Sequence, residues 1–233
     1  MQHVRRICAV VPVKQTGLAK QRLAGTLSRQ QRRLLVQAMF EDVLTALTRT
    51  DGVAAILVST VDRKIAAIAA RHGAEVLEDA AREGHSAAVA AAAVRLDASG
   101  YDMLTLPADI PLVQPEDISR LLLVHREAVS GNPRAFSIVP ARDERGSNAV
   151  LCSPACVVPL QFGENSFLPH LAAAKKRGIE PVVVKLPHVA LDIDTPDDLA
   201  LLLRERAPTR THALLAAWDQ ARSHLVDPNQ FGA

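Results

Sequence analysis

Asp109 stands in the stretch MLTLPADIPLV, residues 103 to 113, where a carboxylate interrupts a run of side chains suited to burial and has Pro107 and Pro111 on either side. A charge taken out of water is costly unless it is paired or binds a cation, so its position needs a reason. We read MLTL as a central strand and PADIP as the loop just past its end, with the prolines fixing the backbone so that the carboxylate faces a crevice. An aspartate that bonds its own backbone in a turn is the alternative. A second acidic cluster, LDIDTPDDL (191 to 199), favours the first reading. Asp192 and Asp194 are two apart, so in extended chain both carboxylates point to one face. Joined by Asp109, they would suit a hard divalent cation. The following Thr195, Pro196, Asp197 and Asp198 have a separate explanation, as cap, first helical residue and acids at the positive end of a helix.

Opposite charge comes from KQTGLAKQRL (14 to 23), which places Lys14, Lys20 and Arg22 around Gly17 just after the apolar AVVPV. Polyphosphate suits such a loop, with point charges from lysine, a fork from arginine and free backbone amides. It is not a P-loop, because the glycine spacing and the Lys-Ser/Thr pair are absent; a solvated basic loop is the other reading. A third candidate is FGENSFLPHLAAAKKRG (162 to 178). Here Ser166 is expected to cap a helix ending at Gly178, and Gly163 lets a ligand approach the backbone, so free amides would face an anion. A plain capped helix is the alternative. His170, one turn in, is expected to pack or cap rather than touch the anion.

These groups need a scaffold, and the hydrophobic pattern supplies one. ICAVVPV (7 to 13), VAAILVS (53 to 59), AEVL (74 to 77), YDMLTL (101 to 106), AFSIVPA (135 to 141) and EPVVVKL (180 to 186) are short apolar runs, several without polar alternation, as in strands covered on both faces. Most should be parallel. Helical patterns separate them. Ser28 caps one running to about Thr50 and closed by Gly52, Asp62 caps another closed by Gly73, and Pro115 opens a third. This is an α/β layout. Residues 1–207 read as the main domain, and 208–233 as an appended helix and tail whose Trp218 packs.

At 233 residues and 48% hydrophobic, the chain can bury a substantial core. A net charge of +2 from 27 basic and 25 acidic side chains marks neither a nucleic-acid nor a membrane partner. Three cysteines, Cys8, Cys152 and Cys156, lack Cys-x-x-Cys spacing and fit a reducing cytoplasm. The basic-then-apolar start, MQHVRRICAVVPVK, resembles a secretory signal, but its apolar piece ends at Lys14 and reads better as a buried strand.

VPVK and AKQRL, then PADIPL, RGSNAV, FGENSFLPH and LDIDTPDDL, occur in the order found in the guanylyltransferases of coenzyme F420 biosynthesis. The chain resembles that family over roughly residues 7 to 205, and the molybdenum-cofactor guanylyltransferases more distantly. The resemblance implies a Rossmann-like, GT-A-like nucleotidyltransferase fold: a three-layer α/β/α sandwich with a mostly parallel sheet. It implies Mg2+ held by Asp109, Asp192 and Asp194, and GTP held through Lys14, Lys20 and Arg22. It places a phosphorylated three-carbon acid (2-phospho-L-lactate, phosphoenolpyruvate or 3-phospho-D-glycerate) at Ser147, Gly163 and Ser166. Monomer and homodimer both stay open. Two departures are visible. Where the family often starts a helix near the base with Gly-Leu-Asn-x-Ala, this chain has GHSAA, with His85 and Ser86 at the nucleotide; and Ser147 stands where threonine is common, which keeps the hydroxyl. Rival readings are another sugar-phosphate, molybdopterin or glycosyl transferase using the same aspartates, and a noncatalytic nucleotide-binding protein.

Overall fold

A computed structural model of the protein describes residues 5–14, 20–78, 81–163, 165–205 and 207–226, with side chains to Asp219. Gly17 of the basic loop and the tail beyond Val226 lie outside them. The strands are β1 (Arg6–Pro12), β2 (Val53–Ser59), β3 (Glu75–Leu77), β4 (Tyr101–Thr105), β5 (Ala135–Pro140), β6 (Ser147–Ser153) and β7 (Val182–Val183). The helices are α1 (Arg29–Thr48), α2 (Arg63–Arg71), α3 (His85–Ala98), α4 (Pro115–Gly131), α5 (Phe167–Lys176), α6 (Pro187–Ala190), α7 (Pro196–Arg204) and α8 (Arg210–Val226).

One seven-stranded sheet has the order β3-β2-β1-β4-β6-β5-β7. All pairs are parallel except the two made by β6, which runs antiparallel to both β4 and β5. Alternation along β1 builds both cores. Ile7, Ala9 and Val11 face α1, α2, α4 and α6 through Phe40, Ile65, Leu121 and Val189, whereas Cys8 and Val10 face α3 and α5 through Val89 and Phe167. The three-layer α/β/α sandwich follows. The chain runs outward from β1 to β3 and returns on the other side at β4, so the strand order reverses between β1 and β4, where open α/β sheets bind ligands.

Local signals place most helix ends. Ser28 and Gln31 form a reciprocal capping box, the Asp62 carboxylate accepts from Lys64 N and Ile65 N, and Pro115 opens α4. Two expectations are corrected. β6 lies in a segment read only as a binding motif, because SNAVLCS opens with two polar residues and leaves a short apolar stretch. The run 180 to 186 gives a two-residue edge strand, because Pro181 has no N–H to donate and Pro187 already opens α6.

A third apolar cluster joins the far side of α1 (Leu35, Met39) to Ile193, α7 and Leu215 of α8, and Trp218 packs against it. The start of α8 is bonded to the core. The buried Asp42 carboxylate of α1 accepts from Arg210 N at 2.8 Å, Thr211 N at 3.0 Å and Thr211 Oγ1 at 2.6 Å, satisfying amides that a helix start leaves unpaired.

Beneath α4, His125 is 2% exposed, with Nδ1 2.8 Å from Ser137 Oγ and Nε2 2.8 Å from Ser153 Oγ. Burial lowers its pKa to about 4. The unfolded chain takes up this proton near the ordinary 6.5 and the folded one only near 4, so between those values the unfolded state binds more protons and stability falls as pH drops. Asp42 and Asp102, both raised chiefly by burial, act in the opposite sense from their ordinary 3.8 upward. We expect His125→Gln to lower stability at pH 7 but to flatten the loss between pH 7 and 5, by up to about 1.4 kcal/mol per pH unit in urea denaturation. Equal pH slopes for the two proteins would remove His125 from the account.

Candidate active site

The turn after β4 puts Asp109 between the buried Ala108 and Ile110, and its carboxylate lines a cavity of about 610 Å³ beyond the strand ends. The LDIDT segment is fastened beside it by one backbone bond, Ile193 N to Asp109 O at 3.0 Å, and Asp192 and Asp194 line the same cavity. Lys20 reaches between the two loops. Its Nζ lies 2.5 Å from Asp109 Oδ2 and 2.6 Å from Asp194 Oδ1, and its side chain is 7% exposed. Burial alone would lower the lysine pKa, but the two carboxylates outweigh it and the net shift is upward, so the ammonium is firmly charged. Lys20 also takes the left-handed conformation at φ 56°, which costs an L-residue about 1–2 kcal/mol and which the double ion pair offsets.

Asp192 is held differently. Asn148 donates through Nδ2 to Asp192 Oδ1 at 3.0 Å and to the carbonyls of Val189 and Ala190, tying the carboxylate to β6. Burial, then the neighbouring Asp109 charge, raises the Asp192 pKa. The three expected metal ligands therefore share one cavity, yet no three acidic, histidine or cysteine side chains stand at metal-ligand spacing among the described residues. Lys20 occupies the place between two of them. Their chemistry still fits a hard cation: six aspartates and three arginines line the cavity, an excess of negative charge that repels a polyphosphate until a cation offsets it. Asp198 is structural, as expected. Its Oδ2 closes the capping box of α7 with Thr195, and its Oδ1 accepts from Arg142.

The opposite wall is built from β6 and α5. Ser147 and Asn148 at the start of β6 both line the cavity: Asn148 holds Asp192, and Ser147 stands with Gly163 and Ser166. Ser166 stands at the N-cap of α5 but makes no side-chain cap bond; its hydroxyl donates instead to Ser147 Oγ at 3.2 Å. The expected capping role is thus corrected: at φ −78° and ψ −19° the residue is already helical, and its Oγ does not reach the amides ahead. A side chain at Gly163 would meet nothing within 4 Å, which leaves that side open to a ligand.

His85 lines the cavity with its ring 4.6 Å from that of Phe162; burial lowers its pKa to about 4 against the pull of Asp109. Ser86, expected at the nucleotide, is engaged elsewhere: its Oγ accepts from Phe162 N at 2.9 Å, so it fixes the segment carrying Phe162. Arg22 lines the cavity, whereas Lys14 is exposed at the end of β1 and is absent from the lining residues, though its charge reaches His85. Arg142, Arg145, Asn148 and Phe162 escaped the sequence reading. The dense charge of ARDERG was a visible signal for the arginines; Asn148 and Phe162 lie inside RGSNAV and FGENSFLPH, where no role had been given to them.

Residues 7–217 match the family described as Guanylyl transferase CofC like. The phosphoenolpyruvate guanylyltransferase of Conexibacter woesei is 39% identical over 195 residues, 83% of this chain and 86% of that protein. The 3-phospho-D-glycerate guanylyltransferase of Colwellia psychrerythraea is 36% identical over 199 residues, 85% and 92% of the two chains. Among solved structures, one named as a nucleotide-diphospho-sugar transferase from Desulfovibrio desulfuricans G20 superposes with a TM-score of 0.73 at 18% identity, covering 94% of this chain and 98% of the other, a likeness of fold alone. A fold shared that widely, a family match spanning both walls of the cavity and relatives of nearly equal length lead to one assignment: the chain belongs to the CofC-like guanylyltransferase family.

Proposed function

We propose that the protein transfers GMP from GTP to a small phosphorylated three-carbon acid, releasing pyrophosphate, as a step in making coenzyme F420. One observation carries this reading: a single cavity has a carboxylate floor held by Lys20 and, facing it, a wall of serine hydroxyls at a helix start. The first suits the cation-bound triphosphate and the second a small anion. No helix among the described residues is long and apolar enough to cross a membrane, and the buried free thiols of Cys8 and Cys152 favour the reducing cytoplasm.

In the reaction an oxygen of the acid's phosphate attacks the α-phosphorus of GTP, and the bond to the β-phosphate oxygen breaks. Little proton transfer is needed, so the protein's work is positioning and charge neutralisation. Lys20 and Arg22 neutralise the triphosphate, with Lys14 outside the cavity lining. Ser147, Ser166 and the open face of Gly163 orient the acid. His85, neutral and tilted against Phe162, forms a wall at the nucleotide side. Asp109 and Asp194, with Asp192, would hold Mg2+, which supplies charge compensation for the phosphates when bound.

Incubation with GTP, Mg2+ and each of phosphoenolpyruvate, 3-phospho-D-glycerate and 2-phospho-L-lactate should release pyrophosphate and yield a GMP-linked diphosphate by mass spectrometry, with loss of activity in EDTA. Asp109→Asn should lower turnover by about 10²–10³ in protein that still melts cooperatively; a near-normal rate with unchanged Mg2+ dependence would remove the carboxylate from the chemistry. Arg22→Ala should raise the KM for GTP far more than that for the acid, and equal losses would indicate a folding defect instead. Gly163→Val should do the reverse, raising the KM for the acid and sparing that for GTP; a Cβ at this position enters open space, and a thermal melt checks that the fold is kept. Unchanged acid affinity would move the acid to another part of the cavity.

A further inference from the structure

We infer that His170 is a positioning residue of the acid subsite, holding the Ser147 hydroxyl so that its proton is offered to the bound anion. This rests on the functional reading above and assigns work to a side chain that does not line the cavity. His170 is 1% exposed. Its Nε2 accepts the backbone N–H of Gln161 at 3.0 Å, so that nitrogen carries no proton. A neutral imidazole has one N–H, which must then sit on Nδ1, 2.9 Å from Ser147 Oγ. Its depressed pKa, about 4 through burial, agrees with the neutral form.

The consequence falls on Ser147. Its oxygen accepts from His170 Nδ1–H and from the Ser166 hydroxyl at 3.2 Å, which uses both lone pairs. The serine's own proton has no place in this network and is left for the cavity that Ser147 lines. A hydroxyl that could otherwise accept as readily as donate becomes a committed donor, the polarity a phosphate or carboxylate requires. The same ring meets Phe162 edge-on at 5.1 Å. One buried histidine thereby fixes a hydroxyl on β6, the amide of Gln161 and an aromatic wall.

The test is a double-substitution cycle read in KM. His170→Leu should raise the KM for the acid about tenfold while kcat and the KM for GTP change little. His170→Asn, whose side-chain amide can donate from near the Nδ1 position, should restore most of that loss. In a Ser147→Ala background, His170→Leu should add no further increase. Should the Leu protein fail to melt cooperatively, His170→Gln replaces it, since the longer amide reaches the Nε2 position and leaves Ser147 without its donor. Penalties that multiply in the Ser147→Ala background, an Asn variant no better than Leu, or an equal rise in the KM for GTP would each overturn the role. Turnover of a phosphorylated acid by the wild-type protein is the separate control: its absence overturns the functional reading and this role with it, whereas turnover with any of those three results overturns the role alone.

Discussion

Three carboxylates share one cavity, and the Lys20 ammonium lies between two of them. Two unit charges 4 Å apart repel by about 4 kcal/mol at an effective dielectric of 20, and Lys20 turns that repulsion into two attractions. Much of the architecture serves this contact. The reversal of strand order beside β1 brings the basic loop and Asp109 to the same edge, and the Ile193–Asp109 backbone bond brings Asp194 within reach. Lys20 accepts an unfavourable backbone to make the bridge. On the proposed reading, an incoming triphosphate with its cation would take over both ends of this contact, the ammonium turning to phosphate and the carboxylates to the cation.

The sheet was largely legible because strands covered on both faces are written as apolar runs, and β1, β2 and β4 fall within a residue or two of those runs. Helix starts were legible where a cap acts locally, as at Ser28, Asp62 and Thr195. β6 was not, because its position depends on pairing with two strands distant in sequence, which local propensity does not encode. The candidate site divides along the same line. Asp109, Asp192 and Asp194 could be found because acids in apolar or alternating sequence demand an explanation. The tasks of Ser86, Asn148 and Ser166 could not, because each hydroxyl or amide chooses its partner from elements brought together only by the fold.

Ser166 shows how a correct position can carry a wrong mechanism. A serine before a helix reads as a cap, and it does precede α5, but the first turn is secured otherwise: Phe167 N donates to Arg145 O at 2.9 Å across the cavity rim. The helix start is thus fixed by the loop leading into β6, and the hydroxyl becomes available to Ser147. The acid-facing wall is thereby one unit, since the loop, β6 and α5 are bonded to each other before any ligand arrives.

The two sides of the cavity differ in kind, and the chemistry gives a reason. On the proposed reading, an ionic floor suits the charge that a triphosphate and its leaving pyrophosphate carry. The acid's phosphate is different, since it has to attack, and a cation directly on its reacting oxygen would draw away the electron density that makes it a nucleophile. On that reading the Ser147 hydroxyl, held by Ser166, and the open backbone at Gly163 are neutral groups that would orient an anion without that penalty. Of the nearby arginines, Arg142 is paired with Asp198 at 2.9 Å, whereas Arg145 bonds the neutral Asn165 through Nε at 3.1 Å and keeps its charge. On the same proposed reading a wall of hydroxyls facing an ionic floor would separate holding the nucleophile from stabilising the leaving group, and the antiparallel strand β6 joins them, with Ser147 bonded to His170 of α5 and Asn148 to Asp192.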